Sequence, residues 1–248
     1  MPHGLKGEKL DLVLHSPGGS TEAVEALVTY LRSKFSHIRV IIPYAAMSAA
    51  TMLSCAADTI TMGKHSFIGP IDPQIILHTP LGPQAIPAQA ILEQFEKAKG
   101  ECEDPKKLGT WLPILGQYGP ALLVQCEHAL ELSRELVSKW LNVMFSREPN
   151  PKEKVEKVSK TLADHSLFKS HGRHISREQA KEIGFEIEDL ESDQTLQDLV
   201  LSVFHSTTHT FDATSAVKII ENQEGRAFIK MLQPIPIPPQ RRGPGESQ

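Results

Sequence analysis

The stretch Leu10-Asp11-Leu12-Val13-Leu14-His15-Ser16-Pro17-Gly18-Gly19-Ser20 decides the fold. Residues 10–15 read as a short buried strand, Ser16 to Ser20 as a turn, and residues 21–34 as the helix that this turn opens. Outward from it, residues 38–42 (IRVII) form a second buried strand that Pro43 stops. Residues 46–57 are small and apolar enough to predict a helix packed closely on a sheet. Strand, helix, strand, helix in that order implies a parallel sheet with right-handed crossovers.

Further along, residues 59–62 and 65–68 read as short strands separated by Gly63, and Gly69-Pro70-Ile71-Asp72-Pro73 as a rigid connector. A helix is predicted from Pro87, a residue suited to a first helical turn, to about Lys99. A long amphipathic helix follows over 120–145, carried by Leu122, Cys126, Leu130, Val137 and Leu141, and another over 151–163. Ser176-Arg177-Glu178-Gln179 is a capping box, and Gly184 stops its helix. The organisation expected is one domain over 1–232, with a catalytic core over about 10–100 and a helical remainder over 101–232. Residues 233–248 are expected to be a proline-rich disordered tail.

Composition narrows the function. A chain of 248 residues with 40% hydrophobic content can bury an ordinary core. The net charge is −4, and no basic run is interleaved with aromatics, so no nucleic-acid partner is expected. Cys55, Cys102 and Cys126 are odd in number and lack metal-ligand spacing, which suits a reducing compartment. No apolar stretch approaches the roughly 20 residues of a membrane span.

Gly18 and Gly19 lie between a buried strand and a helix, where backbone N–H groups can face an anion. Alone, such a turn is ordinary. Ser48, in Ala45-Ala46-Met47-Ser48-Ala49-Ala50-Thr51, follows the next strand at the start of the next helix. Alone, it reads first as a helix N-cap. Two consecutive strand-to-helix turns of a parallel sheet lie side by side at one sheet edge, however, and together they predict a nucleophile facing an oxyanion hole.

These residues carry a resemblance. Residues 14–20 (LHSPGGS), 40–51 (VIIPYAAMSAAT), 56–58 (AAD) and 69–74 (GPIDPQ) resemble the serine dehydrogenase proteinase family, relatives of signal peptide peptidase A and the Clp protease subunit. Residues 87–92 (PAQAIL) and 174–184 (HISREQAKEIG) resemble later family segments. The resemblance implies an α/β, ClpP/crotonase-like fold: a spiral of ββα units around a parallel sheet, with flanking helices and a helical C-terminal extension. It implies a serine peptidase acting on protein or peptide substrates through Ser48, with Gly18, Gly19 and Ala49 supplying the oxyanion hole. It implies no metal or nucleotide cofactor, and self-association into a homo-oligomer; the location expected is cytoplasmic. Relatives are often membrane-anchored, so association with a membrane through a partner or a further N-terminal segment is a second expectation.

A serine hydroxyl needs a base. Relatives of signal peptide peptidase A use a lysine about fifty residues downstream, a separation that points to Lys97, with Lys99 as an alternative. Either would have to be desolvated. The Clp subunit uses a histidine some two dozen residues after the serine, a position that falls here near Ile71 or Asp72; His78 has a local likeness to that segment. Asp72 reads first as a turn residue, Asp164 could orient a histidine, and His171 and His174 read as loop residues ahead of the capped helix. The chain begins almost at its first strand, so an uncovered sheet edge is expected, and with it a rival reading as a non-catalytic interaction module or inactive shortened homologue. Acyl-CoA chemistry on the same fold ranks last, because it has no need of a serine nucleophile.

Overall fold

The structure is a computed structural model that describes residues 7–79 and 82–233. Strand β1 (Lys9–Val13) leads into helix α1 (Thr21–Arg32), then β2 (His37–Ile42), β3 (Ala45–Ala46) and helix α2 (Ala49–Cys55). Strands β4 (Thr59–Met62) and β5 (Phe67–Ile68) follow, then a hairpin of β6 (Gln74–Thr79) and β7 (Gly82–Pro87). Helices α3 (Ala88–Glu101), α4 (Pro105–Leu115), α5 (Leu122–Met144), α6 (Pro151–Ala163) and the short α7 (His165–Phe168) come next. Strand β8 (Ile175–Ser176), α8 (Arg177–Ile183), β9 (Ile187–Asp189), α9 (Gln194–Ala213), β10 (Ala216–Glu221) and β11 (Ala227–Met231) complete the described chain.

Strands β1, β2, β4 and β9 form a fully parallel sheet in the order β1-β2-β4-β9, as the strand–helix alternation requires. Its centre is apolar: Ile38, Val40, Ile41, Ile42, Ile60 and Met62 are all buried. At its β1 edge the pattern turns polar, with Lys9 and Asp11 exposed and Arg39 gripping Asp11 through two bonds of 2.8 and 2.7 Å. A second, three-stranded sheet has the order β3-β5-β8, with β3 parallel to β5 and β8 antiparallel to it.

Helix α2 is buried at every residue, which its small side chains permit, and α5 packs on α2, α3 and α6. The helix expected over 46–57 is shorter than its composition suggested. Ala45 and Ala46 pair with Phe67 and Ile68 as β3, and Ser48 takes φ 53°, so helical geometry begins only at Ala49. Pro87 ends β7 and precedes α3 rather than opening it. The region expected to be helical after residue 101 also returns β8 and β9 to the sheets and forms the hairpin β10–β11. The expected tail from residue 234 lies outside the described residues.

The chain divides into two compact units, one over Lys6–Val200 and a second that includes the described residues 201–233. The second holds the last turns of α9 and the antiparallel β10–β11 pair, with Ile219 opposite Ile229 and Ile220 opposite Phe228. Among the described residues, no helix is long and apolar enough to cross a membrane.

Candidate active site

Three chain segments arrive at one end of the β3-β5-β8 sheet. Strand β3 ends at Ala46 and continues into Met47 and Ser48; its parallel neighbour β5 ends at Ile68 and continues into Gly69 to Asp72. Strand β8 runs the other way, with Ile175 opposite Ile68, so the residues just before it, 171–174, lie at that same end. A fourth segment joins them, because Ser16 bridges Ala46 in parallel and leads directly to Gly18.

The two turns that the sequence paired do meet. Gly18 has φ 111°, and a Cβ there would lie 2.8 Å from both Met47 O and Ser48 Cβ and 3.3 Å from Ala49 N. Only glycine permits so close an approach of the loop to the serine. Ser20 serves the helix behind it, accepting the N–H of Ala23 at 3.1 Å as the N-cap of α1. The Gly18 N–H itself donates to Ser16 Oγ at 3.1 Å.

Ser48 is half-buried and occupies the N-cap position of α2, yet its side chain makes no capping bond. Its backbone, at φ 53° and ψ −121°, lies where non-glycine residues are strained by about 1–3 kcal/mol. A strained serine on a strand-to-helix turn, not used as a cap, is the geometry of a presented nucleophile.

The connector after β5 is fastened at almost every residue. The Gly69 N–H donates to Thr51 Oγ1 (3.0 Å), the Ile71 N–H to Leu162 O (2.9 Å), Ser133 Oγ to Ile71 O (2.9 Å), and the Ala88 N–H to Pro73 O (2.9 Å). The Met47 side chain packs directly over Gly69: a Cβ there would come 2.5 Å from Met47 Cε, so the methionine would have to swing aside. Thr51 is wholly buried, and its hydroxyl also donates to Ala46 O at 2.7 Å, so one side chain ties the serine's strand to the connector. Thr51→Val keeps the shape but orphans a buried N–H and a buried C=O. It is expected to lower unfolding stability by about 2–3 kcal/mol, read from urea denaturation.

The connector ends in a buried charge. Asp72 is 1% exposed, and three donors meet its carboxylate: His171 Nδ1 at 2.8 Å from Oδ1, His165 Nδ1 at 3.0 Å from Oδ2, and Gln74 Nε2 at 3.1 Å from Oδ2. With Nδ1 of each ring turned to this carboxylate, the buried group orients both imidazoles and directs their Nε2 atoms away from it. Reading along the sequence missed this cluster, because 93 and 99 residues separate the two histidines from Asp72. The available signal was the rigid connector after a strand, with Asp72 where a Clp-type base falls. Asp164, considered as an orienting group, instead caps α7 by accepting the Leu167 N–H at 3.2 Å.

The three residues expected as base are all exposed. Lys97 is on an exposed position of α3, Lys99 is exposed beside Glu96 at 3.3 Å, and His78 is exposed on the β6–β7 hairpin. None is buried, and the Glu96 carboxylate beside Lys99 is itself exposed, unlike that of Asp72. Among the described residues, no group of three or more His, Cys, Asp or Glu is arranged to hold a metal ion.

A family model for the ClpP-like SDH-type serine proteinase matches residues 4–203. Two uncharacterized proteins of Methanocaldococcus jannaschii are similar to the chain. One is 26% identical over 185 residues, covering 74% of this chain and 54% of its own length. The other is 29% identical over 178 residues, covering 72% and 51% respectively. The chain therefore spans about half the length of these relatives.

Proposed function

The chain belongs to the ClpP-like SDH-type serine proteinases, and from that premise we propose that it hydrolyses peptide bonds through an acyl-enzyme on Ser48, with His171, oriented by Asp72, as the base. The observation that carries this reading is the buried Asp72 carboxylate bonded to His171 Nδ1, at the same sheet end as a strained Ser48 in contact with Gly18.

In this mechanism the Ser48 hydroxyl attacks the scissile carbonyl while His171 Nε2 takes its proton. The resulting imidazolium is stabilised by the Asp72 carboxylate, which stays ionised. The carbonyl oxygen becomes an oxyanion received by the Ala49 N–H and the neighbouring Gly18 loop, where Gly18 N–H exchanges its Ser16 hydroxyl for the stronger charged acceptor. Collapse breaks the C–N bond, and the imidazolium proton leaves with the amine. Water then enters, gives its proton to Nε2, and releases the acid and the Ser48 hydroxyl. This assignment takes the place of the Ser48–Lys97 dyad, since a lysine base needs a desolvated site and Lys97 lies on an exposed position of α3.

Self-association and a cytoplasmic location belong to the same proposal. The thiols Cys55, Cys102 and Cys126 are all unbridged, in keeping with a reducing compartment. A second reading, a scaffold that binds without cleaving, draws on the Gly18 N–H being already engaged by Ser16. A fluorophosphonate probe separates the two. Labelling mapped to Ser48 by mass spectrometry is expected; no labelling would favour the binding scaffold, and labelling at another residue would remove Ser48 as the nucleophile.

A further inference from the structure

Asp72 holds one histidine more than a serine–histidine–aspartate relay employs. Resting on the peptidase reading above, we infer that His165 is a positioning residue: with Gln74 it holds Asp72 Oδ2, so that Oδ1 is presented to His171 and the base is kept in its accepting tautomer.

A carboxylate turns readily about its Cβ–Cγ bond, because that terminal torsion is broad. One contact at Oδ1 would leave the group soft. Two donors on Oδ2, His165 at 3.0 Å and Gln74 at 3.1 Å, fix its plane from the other side. Solvent cannot do the same work, since Asp72 is 1% exposed.

His165 is itself well anchored. It is the first residue of α7, which Asp164 caps, and the next residue, Ser166, donates to Glu93 (3.4 Å) and accepts from Gln89 (3.1 Å) on α3. The division of roles follows from access and from bond sharing. The His171 side chain is 27% exposed, has Oδ1 to itself, and sits on the segment that enters β8 at the Ser48 end of the sheet. The His165 side chain is 15% exposed and shares its oxygen with Gln74. A base has to reach substrate, and a holding group does not.

Asparagine and glutamine distinguish a holding histidine from a reacting one. The amide nitrogen of asparagine falls where Nδ1 was, and that of glutamine where Nε2 was. Steady-state peptide hydrolysis and fluorophosphonate labelling rates are compared for His165→Asn, His165→Gln, His171→Asn and Ser48→Ala. We expect His165→Gln to lower kcat about 10- to 100-fold with KM unchanged, the range for groups that orient a reacting residue from behind. His165→Asn restores most of that loss, whereas His171→Asn falls by more than about 10³-fold because Nε2 is gone. Both His165 variants keep a polar amide, so thermal melts should place them equally folded.

Wild-type rates in His165→Gln would overturn the inference. So would an inactive His165→Asn beside an active His171→Asn, which exchanges the roles. Activity surviving in Ser48→Ala would instead remove the peptidase reading itself, whatever the His165 variants do.

Discussion

Replacing Ser48 by alanine is expected to lower kcat for peptide hydrolysis by about 10⁴- to 10⁶-fold and to abolish fluorophosphonate labelling, because the attacking oxygen is removed while the surrounding amides remain. The substitution leaves the fold in place. Alanine keeps the Cβ, so the cost of φ 53° and ψ −121° stays as it was. Ser48→Gly separates the two consequences. Glycine adopts this backbone without penalty, which relieves about 1–3 kcal/mol of strain, while its greater freedom in the unfolded chain costs about 0.5–1 kcal/mol. The balance is an inactive protein that is more stable by about 1 kcal/mol, measured as a shift of the urea midpoint at constant slope. Conventional losses of stability in both variants would mean that Ser48 is a packing residue rather than a strained, presented one.

Asp72→Asn is expected to lower kcat by about 10³- to 10⁴-fold with little change in size or shape. Three donors surround this side chain, one at Oδ1 and two at Oδ2. An amide has only one oxygen. Turned toward the two donors it satisfies His165 and Gln74, and its NH₂ then faces His171 Nδ1. That nitrogen has to give up its proton, the proton moves to Nε2, and the base can no longer accept. Turned the other way, the NH₂ meets two donors and the buried mismatch costs about 1–3 kcal/mol. Either orientation impairs the site, so a variant within tenfold of wild-type kcat would remove Asp72 from the mechanism.

The same bonds explain what could be read before folding. The helix over Pro151–Ala163 falls where the sequence places it, the strand over Thr59–Met62 matches its expected bounds, and the Ser176–Gln179 capping box closes in both directions. The Gly18 and Ser48 turns were legible for a similar reason. Each lies downstream of a readable parallel strand, β1 or β2, and parallel connectivity puts consecutive strand-to-helix turns at one edge. The cluster of Asp72 with His165 and His171 was not legible. Strands β3, β5 and β8 have two residues each, too few for any alternation, yet it is their pairing that brings residues 47–48, 69–72 and 171–174 to one end.

From its sequence alone this protein determined its parallel α/β core and the serine on its second turn. Those depend on interactions between residues near one another in the chain: periodic burial, a stopping proline, a glycine pair before a helix. Which groups gather at the end of that sheet was decided only in three dimensions. Lys97 and His78 were nearer in sequence but end exposed, while Asp72 captured two histidines from more than ninety residues away. The physical reason is burial: a carboxylate withdrawn from water has to collect donors, and which donors reach it depends on how the helices and the short sheet pack, which no local pattern encodes.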